Sequence, residues 1–376
     1  MDIVAGFRRL LVVFVVAAIV GVSSERMFWY WASEPLDHLV VALVYAPAVA
    51  GVLWLLSHYG VRDMIGVLLA APVLGYLVEG VVTPILYTGG PFVPFFPAWF
   101  AAWHGGFGIV LLVYCFRRWL IEDARTKLLV ASLALGAFWG AWSITMTLPE
   151  NLEDEELIAD QGGPLELLDP GEFAAYAATF TLVLAAAHLV LGRGAWVTSF
   201  EPSPATRWLW LLITGGVVVA WTFAIPWAAP MFALYAGLQI WALRRRRAVT
   251  SGPTVLEQLD GRVRLVSLAP LAVMPVAAGV VYGLLWAAEL PDGAVRAFMY
   301  SVIGVQSVVG AGVMVWTLRN SRRRPRPSPG EPEGPAWPAP DAAQRRVLRP
   351  ARDAGAQTAA GTSAPATWTV AAHPAS

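Results

Sequence analysis

Glu79 and His104 close the two ends of the stretch EGVVTPILYTGGPFVPFFPAWFAAWHGG, and nothing charged stands between them. A carboxylate beside an imidazole can fix the imidazole tautomer, hold a proton between the two groups, or supply two metal ligands. A second group of the same kind, Glu25, Arg26, Glu34, Asp37 and His38, lies in SSERMFWYWASEPLDH. Arg26 suits an anionic partner such as Glu79, Glu25, a lipid phosphate or an anionic substrate, although an arginine at a helix end also snorkels to the interface. The plain alternative pairs Glu79 with Arg26, or has Glu79 cap the aromatic loop, and leaves His104 bonded to a nearby carbonyl.

Other chemistry is poorly represented. The chain has no HExxH, GxSxG, P-loop or GxGxxG motif. Its one cysteine, Cys115, sits in an apolar run, where an inert buried thiol is expected. Glu79, His104, His38 and Glu34 are metal-ligand types without a recognisable metal spacing. A haem between His104 and His188 fails on depth, because the two lie about 15 Å apart along the membrane normal at about 1.5 Å per residue. A haem held by His38 and His104 has no support beyond reach. No cofactor, metal or nucleic-acid partner is expected.

These residues matter because of the elements that must carry them. The chain is 57% hydrophobic and only 14% charged, which demands a non-aqueous solvent for most of it. Its apolar residues fall into uncharged runs of about 17 to 23 residues, enough to cross a hydrocarbon core of about 30 Å. The expected class is all-α, a polytopic integral membrane protein. Ten spans are predicted, at 7–24, 39–57, 64–82, 98–116, 128–147, 173–191, 208–225, 229–243, 265–287 and 298–318.

Placing every second loop in the cytoplasm collects Arg8, Arg9, Arg62, Arg117, Arg118, Arg125, Lys127, Arg193, Arg207, Arg244 to Arg247, Arg262, Arg264 and Arg319 on one side. Only Arg26 and Arg296 fall on the other, the asymmetry of a positive-inside topology with both termini cytoplasmic. The acidic loop Pro149 to Glu172 then lies outside. Spans seven and eight are the weakest division, since only IPWAAP separates them. FRR, the run Leu10 to Val22 and VSS resemble a signal peptide, but the apolar run is long for one.

The transmembrane domain occupies 1–319, and 320–376 reads as a disordered Pro-, Arg- and Ala-rich cytoplasmic tail. Prolines at Pro47, Pro72, Pro270 and Pro275 predict kinks or breaks. The three prolines of PFVPFFP and the pair Gly89–Gly90 exclude regular helix between Glu79 and His104, leaving an aromatic belt or a segment folded back into the protein. Gly105 and Gly106 allow close approach of a ligand or of another helix.

In this topology Glu79, His104, Arg26, Glu25, Glu34 and His38 converge on the outer half of the membrane. The expected function is a transporter or permease for a small molecule or lipid. The alternatives are an outer-leaflet enzyme using Glu79 and His104 as an acid–base pair, and a non-catalytic membrane assembly subunit. The bilayer is the expected partner.

Overall fold

The structure, a computed structural model, describes residues 3–28, 35–88, 95–149, 167–248 and 250–323. They belong to one compact unit, Met1–Pro325. Every regular element among them is helical. Ten long helices follow in order: α1 Gly6–Arg26, α2 Leu36–His58, α3 Met64–Val82, α4 Phe96–Ile121, α5 Arg125–Thr147, α6 Pro170–Arg193, α7 Pro204–Ala224, α8 Ala228–Arg247, α9 Leu265–Ala287 and α10 Asp292–Asn320. The acidic loop, apart from its ends, and the tail beyond Arg323 lie outside the described residues.

A helix therefore stands at each of the ten expected spans. Nine of those described are long and apolar enough to cross a membrane, and α8 is the exception. It runs for 20 residues but ends in Arg244 to Arg247, so its apolar part is short and its average hydropathy falls. By this criterion nine of the ten expected spans are supported among the described residues.

The apolar residues that drive the helices are divided between two environments. In α3, 78% of the most apolar window is buried inside the protein, against 6% in α7 and 17% in α10. Helices α7 and α10 thus present apolar faces outward, with Leu212 68%, Phe223 90% and Val308 73% exposed. Exposure of this extent is unfavourable in water and natural against lipid.

Without a hydrophobic drive between helices in lipid, packing depends on small residues that let backbones approach. Helix α5 carries Gly136 and Gly140, four residues apart on one face, against α9. A Cβ at Gly136 would lie 2.1 Å from the Met274 carbonyl oxygen, and one at Gly140 would lie 2.2 Å from that of Ala278. G140L is expected to force α5 and α9 apart at a cost of about 1–3 kcal/mol or more. G237L, where a Cβ meets nothing within 4 Å, serves as the control. Equal thermal melting of the two variants in detergent would sink the assignment.

Prolines break the helices where expected in two places. Pro72 divides α3 into Met64–Ala70 and Pro72–Leu77, and Pro270 sits in a tighter 3₁₀ stretch, Leu265–Ala272, that precedes the α-helical Val273–Ala287. Pro47 lies within the unbroken helix Pro35–His58.

One end of the bundle is held by arginines. Arg246 of α8 donates to both Asp63 oxygens, with Nε 3.2 Å from Oδ1 and 3.0 Å from Oδ2, and its Nη2 also reaches Oδ2. Its Nη1 donates to the Asn320 carbonyl at 3.3 Å and to that of Arg323. Asp63 in turn caps α3, accepting from Gly66 N–H at 2.9 Å. The start of α3 and the ends of α8 and α10 therefore meet. Arg117, fully buried, donates from Nε to the Leu259 carbonyl at 2.7 Å and lies 4.5 Å over the Trp196 ring. These arginines do more than mark a topology: they tie together chain segments distant in sequence.

Candidate functional site

The first four helices build the site. Close contact between α3 and α4 comes first, because a Cβ at Gly75 would lie 2.5 Å from the Phe100 carbonyl oxygen and one at Gly105 2.7 Å from that of Ala71. Gly105 is thus a helix-packing residue, while Gly106 lines a small apolar cavity of about 130 Å³ against Pro72 and Gly310. This register puts Glu79 one turn beyond Gly75 and His104 one turn beyond Phe100. Helical side chains lean toward their own N-terminus, so on antiparallel helices these two lean toward each other.

They meet. His104 Nε2 lies 2.7 Å from Glu79 Oε1, with the His104 side chain 3% and the Glu79 side chain 12% exposed. A carboxylate only accepts, so Nε2 carries the hydrogen and donates. The second Glu79 oxygen accepts from Thr83 Oγ1 at 2.8 Å. Nδ1 of His104 is buried with no hydrogen-bond partner. The imidazole is therefore anchored through one nitrogen and free at the other.

A second carboxylate stands beside this pair. Glu25 of α1 accepts from the hydroxyl of Tyr45 on α2, and the Tyr45 ring lies 6.0 Å from that of His104. His104, Glu79 and Arg26 each lie within electrostatic reach of Glu25. Tyr45, 2% exposed, is a site residue that the sequence reading missed, since a lone tyrosine in an apolar run carries no signal. Thr83 was legible in principle, because it stands four residues after Glu79.

The backbone carrying these groups is unusual. Met27 N–H bonds to the Val22 carbonyl at 2.9 Å and Thr83 N–H to that of Val78 at 3.0 Å, both five residues back. The segments Val22–Arg26, Val78–Val82 and Ala101–Phe116 are π-helical, and they contain Glu25 with Arg26, Glu79, and His104 respectively. π-Helical turns are rare and are frequently found at functional sites. Three of the four π-helical segments among the described residues carry the ionisable residues of this cluster, and the fourth, Leu191–Ala195, does not.

Arg26 and His38 both lie against Phe180. The Arg26 guanidinium carbon lies 5.2 Å from the Phe180 ring centre, and the His38 ring lies 5.1 Å from it on edge. His38 Nε2 donates to the Ala18 carbonyl at 3.1 Å. The alternative pairing of Glu79 with Arg26 is replaced by Glu79 with His104. Glu34 lies outside the described residues. His188 is fully buried near Arg117, away from the site. Among the described residues, no three His, Cys, Asp or Glu side chains converge to hold a metal ion.

Part of the loop between Glu79 and His104 folds back into the protein. Leu86 and Tyr87 are fully buried, and Tyr87 donates to the Gly80 carbonyl at 2.7 Å. Burial pushes the Tyr87 phenol above the usual tyrosine range, so it remains a neutral donor. Trp221 and Trp227, at the junction of α7 and α8, donate to the carbonyls of Val81 at 3.3 Å and Tyr87 at 2.9 Å. The remainder, 89–94, lies outside the described residues.

Aromatic rings wall the other side. Phe28 stacks on Trp103 with centres 3.8 Å apart, and Trp142 Nε1 donates to the Phe28 carbonyl at 2.9 Å. Comparison of the chain with protein-family models, with curated proteins and with solved structures gave no match. The chemistry of the site is argued from its geometry.

Proposed function

We propose that this is a proton-coupled transporter for a small molecule or lipid, in which His104 takes up and releases the proton and Glu79 orients it. The observation that carries the proposal is the buried imidazole bonded to Glu79 through Nε2, with Nδ1 unpartnered. Within a membrane protein, a histidine and carboxylates buried together are the groups from which proton relays are made. Glu25 and Tyr45 offer a neighbouring place for the proton to go.

In this proposal the chain crosses the cytoplasmic membrane of the cell ten times, with both termini inside. The arginine distribution supports that orientation. The contact of Arg246 with Asp63 and with the end of α10 supports α8 as a full crossing, because an antiparallel ten-helix arrangement brings those three ends to one face.

The same free Nδ1 also favours a second reading, an outer-leaflet enzyme in which His104 is a general base oriented by Glu79. Reconstitution into liposomes with an entrapped pH dye separates the two. A panel of small molecules and lipids is added outside. For the transporter, one of them changes the lumen pH with the wild-type protein and not with H104Q. A compound converted to product outside, with the lumen pH unmoved, would instead establish the enzyme.

A further inference from the structure

We infer that the groove between α1, α2 and the start of α7 binds one anionic phospholipid, with its phosphate at Arg9 and Arg207 and an acyl chain along Leu10, Val13 and Trp210. The groove encloses about 360 Å³ and combines a basic rim with an apolar floor. That volume falls in the range of ordinary ligand pockets, about 300–1,000 Å³.

The rim is rich in donors and short of acceptors. Among the described residues neither Arg9 nor Arg207 has an ion-pair partner, and Arg9 Nε is buried without an acceptor. Trp54 Nε1, in the same wall, is likewise buried without one. Ser203 caps α7, accepting from Thr206 N–H at 3.1 Å, so the positive end of a 21-residue helix dipole faces the rim. The one carboxylate lining the groove, Glu201, lies 3.5 Å from His58 Nδ1. Unsatisfied donors and two free cations call for an anion with several acceptor oxygens, which a phosphodiester supplies.

The floor calls for a chain attached to that anion. A Cβ at Gly51 would lie 2.7 Å from the Trp210 ring, so glycine lets the indole sit flush in the wall. Trp210 is fixed there by donating to the Pro47 carbonyl at 3.2 Å and by packing edge-on to Trp54, with centres 6.0 Å apart. The wall continues onto the exposed apolar face of α7, with Trp208 63% and Leu212 68% exposed. Charge at one end and hydrocarbon at the other select an anionic lipid over a soluble phosphate. The inference depends on the membrane setting and is independent of the Glu79–His104 chemistry.

The test is thermal melting of the purified full-length protein in neutral detergent with phosphatidylglycerol, phosphatidylcholine, glycerol 3-phosphate or inorganic phosphate added. Phosphatidylglycerol is expected to raise the melting temperature in a saturable way, and the other three are not. R9Q/R207Q is expected to weaken that response about 25-fold, each arginine near anionic lipid contributing about fivefold. R244Q/R319Q removes the same charge from exposed sites outside the groove and is expected to leave it unchanged. Equal stabilisation by phosphatidylcholine, full stabilisation by free phosphate, or equal responses of the two double variants would overturn the inference. If R9Q/R207Q does not fold, the additional quenching of tryptophan fluorescence by bromine-labelled phosphatidylglycerol over bromine-labelled phosphatidylcholine, present in wild-type protein and lost in W210F, decides it; no difference between the two lipids in wild-type protein overturns it.

Discussion

R246A is expected to destabilise the helical bundle by about 3–5 kcal/mol, because it strands a carboxylate that is largely enclosed and strips donors from two carbonyls. Arg246 is 3% exposed and holds Asp63, Asn320 and Arg323 together. Its neighbour Arg244 is exposed, so R244A is expected to change stability by no more than about 0.5 kcal/mol. Chemical denaturation in mixed micelles measures both. D63N provides the second arm: it keeps the shape but removes the charge, and combined with R246A it should cost less than the sum of the single variants, since the two act on one contact. If R246A and R244A prove equally mild, the arginine run is a topological flank and nothing more.

That contrast shows what the sequence could and could not convey. Ten apolar runs and a one-sided arginine distribution were enough to place every long helix, because span length and charge are local properties of the chain. The arginine run Arg244 to Arg247 was readable as a flank, but the selection of Arg246 for burial depends on which side of α8 meets α3, a tertiary fact. The same limit applies to α8 itself. Its short apolar stretch reads as a span only with the help of charge, and by hydropathy it falls below the other nine.

The site was legible to a similar depth. Glu79 and His104 could be singled out because ionisable residues between apolar runs are rare, and two consecutive antiparallel helices tend to pack. What placed the two side chains at 2.7 Å was the backbone contact at Gly75 and Gly105, together with the N-terminal lean of helical side chains. Tyr45 remained hidden, because a tyrosine looks like any aromatic core residue until its hydroxyl is seen on Glu25. The π-helical turns were hidden as well, since no composition marks them. Arg26 and His38 come from the same part of the chain as Glu25 but lie against Phe180, a choice of direction that sequence spacing does not encode.

H104Q is expected to lower the rate of substrate-driven proton movement by about 10²–10⁴-fold, the range for removing a group that takes or gives the proton in the decisive step. E79Q is expected to cost about 10–100-fold, the range seen when the partner that orients a metal-bound histidine is removed. The amide can still accept the Nε2–H bond at Oε1, which keeps the ring in place while deleting the charge that steadies a protonated imidazole. The decisive quantity is the double variant. If Glu79 acts only through His104, E79Q/H104Q runs no slower than H104Q alone, because the orienting partner has nothing left to orient. Y45F, which leaves both members of the pair intact, is expected to slow the rate less than either. Initial rates of lumen pH change in the dye-loaded liposomes give all four numbers on one scale. Multiplicative losses in the double variant would mean that Glu79 handles substrate or proton on its own account, and the roles assigned to the two residues would have to be divided differently.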